Sequence, residues 1–264
     1  MKRLRGPIAL LLATLAFVAI LPSQGLASIV DRGSFKVYRG DRVLGAETFE
    51  YLDAADSLVL RARQYLTLPS PEGDQPFEKG ADLLLGKQDL VLRQYQSNRK
   101  FHGEETIRAL VIADTHYVAY RERKDAGGEG DSRVLPPGHL FVMDSQMVTL
   151  FDLMCRSLPA GAFPDRPINL LALGPRDTML EAHAASIGNE TIRWGGKPVV
   201  ARKLQIVADS QTTFTLWVGP QGQLLRLSEP RGGLRAERDA PPIKRRTPAP
   251  PPPPKTPPKP TPGG

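Results

Sequence analysis

Serine and lysine stand three positions apart at Ser97 and Lys100, a spacing at which a lysine can activate a serine hydroxyl for acyl transfer. In enzymes that use this pair, the serine opens a helix, and Ser-Asp-Asn and Lys-Thr-Gly motifs complete the site. Here the pair falls at the end of a predicted strand and in a predicted turn, and neither further motif occurs in the sequence. The spacing therefore predicts no acylating site.

Other catalytic patterns are also missing from the sequence. It has no Gly-x-Ser-x-Gly elbow, no Cys-x-x-Cys pair, no His-x-x-x-His pair and no phosphate-binding glycine loop. The four histidines fall on separate predicted elements without the spacing of metal ligands: His102, His116, His139 and His183. We therefore predict a protein that is not an enzyme and that carries no metal or other cofactor.

A stripe of apolar side chains offers a different kind of chemistry, the binding of a hydrophobic ligand. Met147, Phe151 and Met154 recur at helical spacing, and flexible methionines beside an aromatic ring suit an adaptable apolar site. The same spacing is also typical of plain core packing. With Trp217 from a later hairpin, these three are the predicted ligand-binding residues. The single cysteine, Cys155, is predicted to be buried filler, with a reactive thiol or an intermolecular disulfide as alternatives.

One amphipathic helix has to position this stripe. It is predicted to begin after Asp144, a good N-cap residue, and to end at Pro159 and Gly161. Its position between two groups of strands predicts packing on the concave side of a curved sheet.

Around this helix the sequence alternates with period two and turns often, which predicts a mainly β protein. Short links imply antiparallel neighbours, so the expected fold is an antiparallel meander that forms a curved, half-open, barrel-like sheet around the helix. Residues 69–76 and 125–137 are predicted loops. For the stretch that ends at Ile187, a helix capped by Asp177 and running to Gly188 is the alternative to a strand. The predicted strands are Phe35–Arg39, Leu44–Tyr51, Leu58–Leu66, Ala81–Leu85, Leu90–Gln96, Thr106–Ile112, Tyr117–Arg121, Ile168–Leu173, Met179–Ile187, Thr191–Trp194, Val199–Ala208, the two arms of the hairpin Thr213–Pro230, and Leu234–Arg238.

The chain divides into three parts by composition. Residues 1–27 read as a secretory signal peptide, with a basic start, a short apolar stretch and small residues before a cut after Ala27; an uncleaved membrane anchor is the alternative. Residues 28–239 form the predicted β-rich domain. Residues 240–264 hold 12 of the 26 prolines and are predicted to be a disordered, basic tail.

This division explains the positive charge of the chain. Of 35 Lys and Arg residues, three lie in the signal peptide and five in the tail, which leaves 27 basic against 28 acidic residues in the domain. The charge therefore describes the two ends and predicts no nucleic-acid partner. The protein is expected to be periplasmic or extracellular.

Three stretches carry a resemblance to known proteins: "FKVYRGDRVLGAETFEY", "FVMDSQMVTLFDLM" and "FTLWVGPQGQLLRLSEP". They resemble uncharacterised bacterial periplasmic families, and their predicted shape is similar to the half-open barrel of the outer-membrane lipoprotein carriers. The resemblance covers most of residues 33–239. It implies a sheet wrapped around a helix, with an apolar cavity for a lipid or acyl chain, and it brings no catalytic residues.

Two functions follow as hypotheses. The first is an exported envelope protein that binds a lipid or another hydrophobic ligand in the half-barrel. The second is a non-enzymatic structural or interaction protein that presents its proline-rich tail to an envelope protein or an anionic polymer.

Overall fold

A computed structural model describes residues 28–124, 126–145, 147–209 and 212–240. The predicted signal peptide and the predicted tail beyond Ala240 lie outside the described residues. Within the described ranges, no helix is both long and apolar enough to cross a bilayer.

The described chain forms one sheet of fifteen strands and one helix, α1 (Thr149–Ser157). The strands are β1 (Ser28–Arg39), β2 (Arg42–Ala54), β3 (Ser57–Leu68), β4 (Gln75–Gly86), β5 (Leu92–Phe101), β6 (Glu104–Ile112), β7 (His116–Arg123), β8 (Gly127–Val134), β9 (Leu140–Asp144), β10 (Arg166–Leu173), β11 (Thr178–Trp194), β12 (Lys197–Val207), β13 (Thr213–Val218), β14 (Leu224–Glu229) and β15 (Leu234–Arg238).

The strand order explains how the sheet curves around the helix. From one edge of the sheet to the other, the order is β8 to β1 in descending number, followed by β15 to β9 in descending number. The first strand, β1, therefore pairs with the last strand, β15, in the middle of the sheet. The side chains of Tyr51 on β2 and Phe214 on β13 contact helix α1, and the backbone N–H of Leu224 on β14 donates to Asp152 of the helix, which places the helix on the inner face. The prediction of a mainly β fold with an antiparallel, curved, half-open sheet around one helix is confirmed.

Alternation along single strands shows why the sheet has one inner face. On β3, the side chains of Leu60, Ala62, Leu66 and Leu68 are buried, while those of Arg63, Tyr65 and Thr67 are exposed. Successive side chains on a strand point to opposite faces, so a period of two buries one face only.

One pairing departs from the antiparallel pattern. Strands β9 and β10 run parallel, with Leu170 opposite Phe141, and helix α1 lies in the connection between them. A parallel pair needs such a crossover, because a tight turn can only reverse the chain. The sequence prediction missed β9 and therefore this unit.

Three local predictions were wrong. The predicted loop 125–137 contains strand β8, whose glycines and polar residues hide the pattern of an edge strand. The predicted turn at Ser97 lies inside β5, which runs on to Phe101. The predicted break between Ile187 and Thr191 lies inside the long strand β11, which has a bulge between Ser186 and Gly188.

The N-cap prediction also needs correction. Asp144 ends strand β9, where it forms a buried ion pair with Lys79 at 2.5 Å. Helix α1 begins later, after Val148, which provides no side-chain cap. A short polar residue before an apolar stripe is therefore not sufficient to mark the first turn.

Candidate functional site

The N-terminal end of helix α1 is held by a carboxylate from strand β2. Glu47 is fully buried and accepts hydrogen bonds from the backbone N–H groups of Val148 (2.8 Å) and Thr149 (2.7 Å), and from the Thr149 hydroxyl. Gln64 on β3 donates another bond to it at 2.8 Å. Burial raises the pKa of Glu47, while the helix donors oppose that shift. Glu47 thus pairs N–H groups that the first turn of a helix leaves without intrahelical partners.

The middle of the helix is fixed by Asp152, which is fully buried. Its carboxylate accepts hydrogen bonds from the Tyr51 hydroxyl (2.9 Å), the backbone N–H of Leu224 (2.7 Å) and Nε of Arg156 (2.8 Å). Arg238 on β15 lies 3.4 Å from the same carboxylate. Because these partners come from β2, β14 and β15, Asp152 joins the helix to both halves of the sheet.

Arg156 extends this network to the C-terminal end of the helix. Its guanidinium also pairs with Asp31 on β1, which in turn pairs with Arg238 at 2.9 Å. Two carboxylates therefore compensate the charge of Arg156, and the orientation of the helix end is fixed.

A cleft of about 1020 Å³ opens beside this end of the helix, and we call it the helix-end cleft. Several parts of the chain meet there: the helix end with residues 158–162, strands β1, β2, β3 and β12, the β4–β5 turn, the bulge of β11 and the β13–β14 turn. The residues that line it include Val30, Cys155, Leu158, Ala162, Val200, Arg202, Val218, and the turn Gly219, Pro220, Gln221 and Gly222.

Apolar side chains form much of the cleft wall. Leu158 and Val218 are buried behind it, while Val30 and Val200 flank it with 63% of each side chain exposed. Exposed apolar surface grouped around a concavity is typical of a binding site, whereas single exposed apolar residues are ordinary. The cleft therefore offers apolar surface to a ligand.

Arg202 is the charged group of this cleft that lacks a compensating acid. Its Nη1 donates hydrogen bonds to the carbonyls of Pro159 and Gly161, the second at 2.6 Å. Within the described residues no carboxylate lies at ion-pair distance, and neither Nε nor Nη2 has a hydrogen-bond partner. Burial lowers the pKa of this guanidinium. The result is a fixed cation beside apolar walls.

The structure does not bring the four predicted ligand-binding residues together. Met147, Phe151 and Met154 lie in the core, with 5% or less of each exposed, and Phe151 packs on Phe214 at 4.7 Å between ring centroids. None of the three lines the helix-end cleft.

Trp217 lies on the other face of the sheet. Its neighbours Leu216 and Val218 point inward, so Trp217 points outward, where Lys203 and Arg226 lie over its ring at 5.4 and 5.5 Å. It therefore cannot share a pocket with the helix stripe.

Sequence reasoning missed the residues that do line the cleft. The turn from Gly219 to Gly222 lies in the predicted hairpin Thr213–Pro230, but nothing in its sequence shows what it faces. Arg202 shares its face of β12 with Leu204 and Ile206, both fully buried. A charge at an inward-facing position of the strand was the available signal.

The remaining reactive groups show no catalytic arrangement. Cys155 is buried, and burial raises the pKa of its thiol, as the filler prediction requires. Ser97 is buried in β5 while Lys100 is exposed on the opposite face, so the two do not meet. Among the described residues, no group of three or more His, Cys, Asp or Glu side chains could hold a metal ion.

Comparisons with known proteins agree with the fold. No protein-family model and no curated protein matches the sequence. Among solved structures, the chain is similar to the crystal structure of a beta-barrel-like protein of domain of unknown function DUF1849 from Brucella abortus. The TM-score is 0.52 at 8% sequence identity, and the alignment covers 79% of this chain and 94% of that chain. This likeness concerns the fold alone, and it supports the predicted resemblance to an uncharacterised β-rich family.

Proposed function

We propose that the protein binds an amphipathic ligand, an apolar chain that ends in a carboxylate, in the helix-end cleft. The observation that carries this proposal is Arg202, a partly buried cation beside apolar walls without a carboxylate partner among the described residues. A guanidinium offers two parallel N–H groups to a carboxylate, and Nε and Nη2 of Arg202 are available for that purpose.

The size and lining of the cleft favour a ligand of this class. Ligand sites are commonly concave, measure about 300–1,000 Å³, and combine apolar walls with a few polar groups that fix orientation. The helix-end cleft, at about 1020 Å³, lies at the upper end of that range. Its valines would cover an acyl chain while Arg202 holds the head.

We assign binding and no reaction to this cleft. Its buried nucleophile, Cys155, is held as a thiol because burial raises its pKa, and a thiol is a poor nucleophile. The other guanidinium, Arg156, is occupied by Asp31 and Asp152.

Transport of such a ligand through the cell envelope is the context we propose. The start of the sequence is typical of an exported protein, and the three stretches quoted above resemble the half-open barrels of lipoprotein carriers. The barrel-like fold of the Brucella protein is compatible with a ligand-binding role.

The test uses the exported chain from Ser28 to Gly264, titrated with laurate and, in parallel, with dodecanol, which has the same chain without the charge. Wild type should bind laurate more tightly. Arg202→Gln should remove that difference while leaving dodecanol binding unchanged. Binding of neither compound by wild type would overturn the proposal.

A variant with a blocked cleft provides a second test of the binding site. Ala162 is exposed on the cleft wall, so Ala162→Trp should fill the space without disturbing the core and abolish binding of both compounds. The matched control is Ala113→Trp, which adds the same ring to an exposed turn away from the cleft and should bind like wild type. Equal losses in both variants would contradict the assignment of the site.

A further inference from the structure

A second concavity lies near the start of the helix connection, away from the helix-end cleft, and five of its lining residues are basic. It measures about 270 Å³ and includes side chains of strands β4 to β7 together with the end of β9 and the β10–β11 loop. We call it the basic pocket. Its basic residues are Lys79, Arg99, Arg108, Arg121 and Arg123.

The strand register explains why these five cations share one face. Lys79 lies opposite Arg99, Arg99 opposite Thr106, and Thr106 opposite Arg123, which forms a row across four strands. Residues opposite one another in neighbouring strands point to the same face. Lys79 and Thr106 are each 4% exposed, so this face is the inner one.

A second row runs beside the first. Ser97, Arg108 and Arg121 lie opposite one another on β5, β6 and β7, each two positions from a member of the first row. Positions two apart on a strand share a face. The two rows therefore place four guanidiniums and one ammonium around two hydroxyl groups.

Three of the five cations have acidic partners. Lys79 pairs with Asp144 at 2.5 Å, and Arg108 pairs with Asp177 at 2.8 Å. Arg121 pairs with Glu129. These pairs compensate the second row and one end of the first.

The other two cations, Arg99 and Arg123, have no carboxylate at ion-pair distance in the part of the chain that the structure describes. Nε of Arg99 is buried without a hydrogen-bond partner there, and its Nη2 has only the Thr106 hydroxyl, at 3.4 Å. Two acids line the pocket: Asp144, which pairs with Lys79, and Glu104, which is exposed. The local balance is therefore positive.

Such an arrangement is costly without an anion. Like charges in neighbouring strands destabilise a sheet, and a buried N–H group without an acceptor loses its hydrogen bond to water without replacement. The repulsion between these cations also acts on Lys79. Burial lowers the pKa of Lys79, and the charges of Arg108 and Arg99 lower it further, while Asp144 raises it. Convergent guanidiniums are the groups that proteins use to hold oxyanions.

We propose that the basic pocket binds a phosphate-type oxyanion, with Arg99 and Arg123 as its main donors and the Thr106 hydroxyl between them. The space suits a phosphate group and is small for an acyl chain. The same chemistry is offered by free phosphate and by the phosphomonoester headgroup of a lipid. The site is separate from the helix-end cleft and does not depend on the function proposed there.

The test titrates inorganic phosphate into the exported chain in a phosphate-free buffer of constant ionic strength, followed by calorimetry. Wild type should bind one phosphate. Arg99→Gln should weaken binding about tenfold or more, because a charged hydrogen-bond donor is lost. Arg123→Gln should also weaken phosphate binding, and because Arg123 is exposed, this substitution leaves the fold unaffected.

The matched control is Lys100→Gln, which removes one positive charge from the next position of β5, on the exposed opposite face. It should bind phosphate like wild type. If Lys100→Gln weakens binding as much as Arg99→Gln, the effect is one of overall charge and the site is overturned.

Vesicles distinguish the two sources of the anion. Phosphatidate vesicles are compared with phosphatidylcholine vesicles in a co-sedimentation assay on the same variants. Binding of free phosphate alone identifies a soluble ligand, and Arg99-dependent binding of phosphatidate vesicles identifies a lipid headgroup. Binding of neither probe by wild type, at millimolar phosphate, would refute the proposal.

Discussion

The carboxylate of Glu47 lies 2.7 Å from the backbone nitrogen of Thr149, although 102 positions separate the two residues in sequence. A strand residue thus provides the cap that helix α1 lacks from its own N-terminal residues. This contact ties the helix to β2, and Asp152 ties it to β14 and β15. The position of the helix, and with it the helix-end cleft, depends on buried polar contacts as well as on apolar packing.

Removal of the Glu47 carboxylate should destabilise the fold strongly. Glu47→Ala leaves the N–H groups of Val148 and Thr149 buried without an acceptor, which should lower the free energy of unfolding by about 3 kcal/mol. Chemical denaturation measures this change. Glu50→Ala is the control, since Glu50 lies on the same strand in a half-exposed ion pair with Arg61 and should cost less than about 1 kcal/mol. Equal effects would contradict the capping role.

The same residue predicts a pH dependence. Burial raises the pKa of Glu47 above its ordinary 4.5, so the folded protein holds this proton at pH values where the unfolded chain has lost it. The corresponding stability is fully present below about pH 4.5 and is lost as the pH rises through the folded pKa. The stability of wild type relative to Glu47→Gln should therefore decrease from pH 4 to pH 7. Chemical denaturation of both proteins across this range measures the difference in their free energies of unfolding. If that difference increases with pH, the direction assigned to the pKa shift of Glu47 is wrong.

The buried pair Lys79 and Asp144 should behave as a coupled unit. Lys79→Met leaves Asp144 buried without its cation and should cost about 3–5 kcal/mol, and Asp144→Leu should cost a similar amount by leaving Lys79 unpaired. The double variant should cost clearly less than the sum of the two. A double-mutant cycle by denaturation measures the coupling, and additive losses would show that the pair does not interact.

The sequence predicted the architecture because that information is local. Alternation on β3 and the stripe on α1 each identify an element and its apolar face without knowledge of any partner. Strand β8 was missed because glycines and polar residues on an edge strand show no alternation. Strand β9 was missed because its five residues are almost all buried and show no alternation, and because its parallel partner β10 follows only after helix α1.

The polar contacts that position the site were not predictable in the same way. Glu47 and Lys79 occupy inward positions of strands, between apolar residues, and a charge at such a position signals a buried partner. The sequence does not say which partner, because Asp144 and Thr149 reach them only through the folded sheet. Likewise, the spacing of Met147 and Phe151 identifies an apolar face but cannot tell a filled core from a cavity.

Substitution of Phe151 tests whether the helix stripe packs in a filled core or lines a ligand cavity. Its ring is 5% exposed, packs on Phe214, and does not line the helix-end cleft, so Phe151→Ala should leave a void and lower the free energy of unfolding by about 3–5 kcal/mol. Phe151→Leu, which retains most of the apolar volume, should cost clearly less. Laurate binding by the folded fraction should be unchanged in both variants, because the cleft is formed by other residues. A small loss of stability in Phe151→Ala together with weakened laurate binding would instead place the ligand against the helix stripe, inside the sheet.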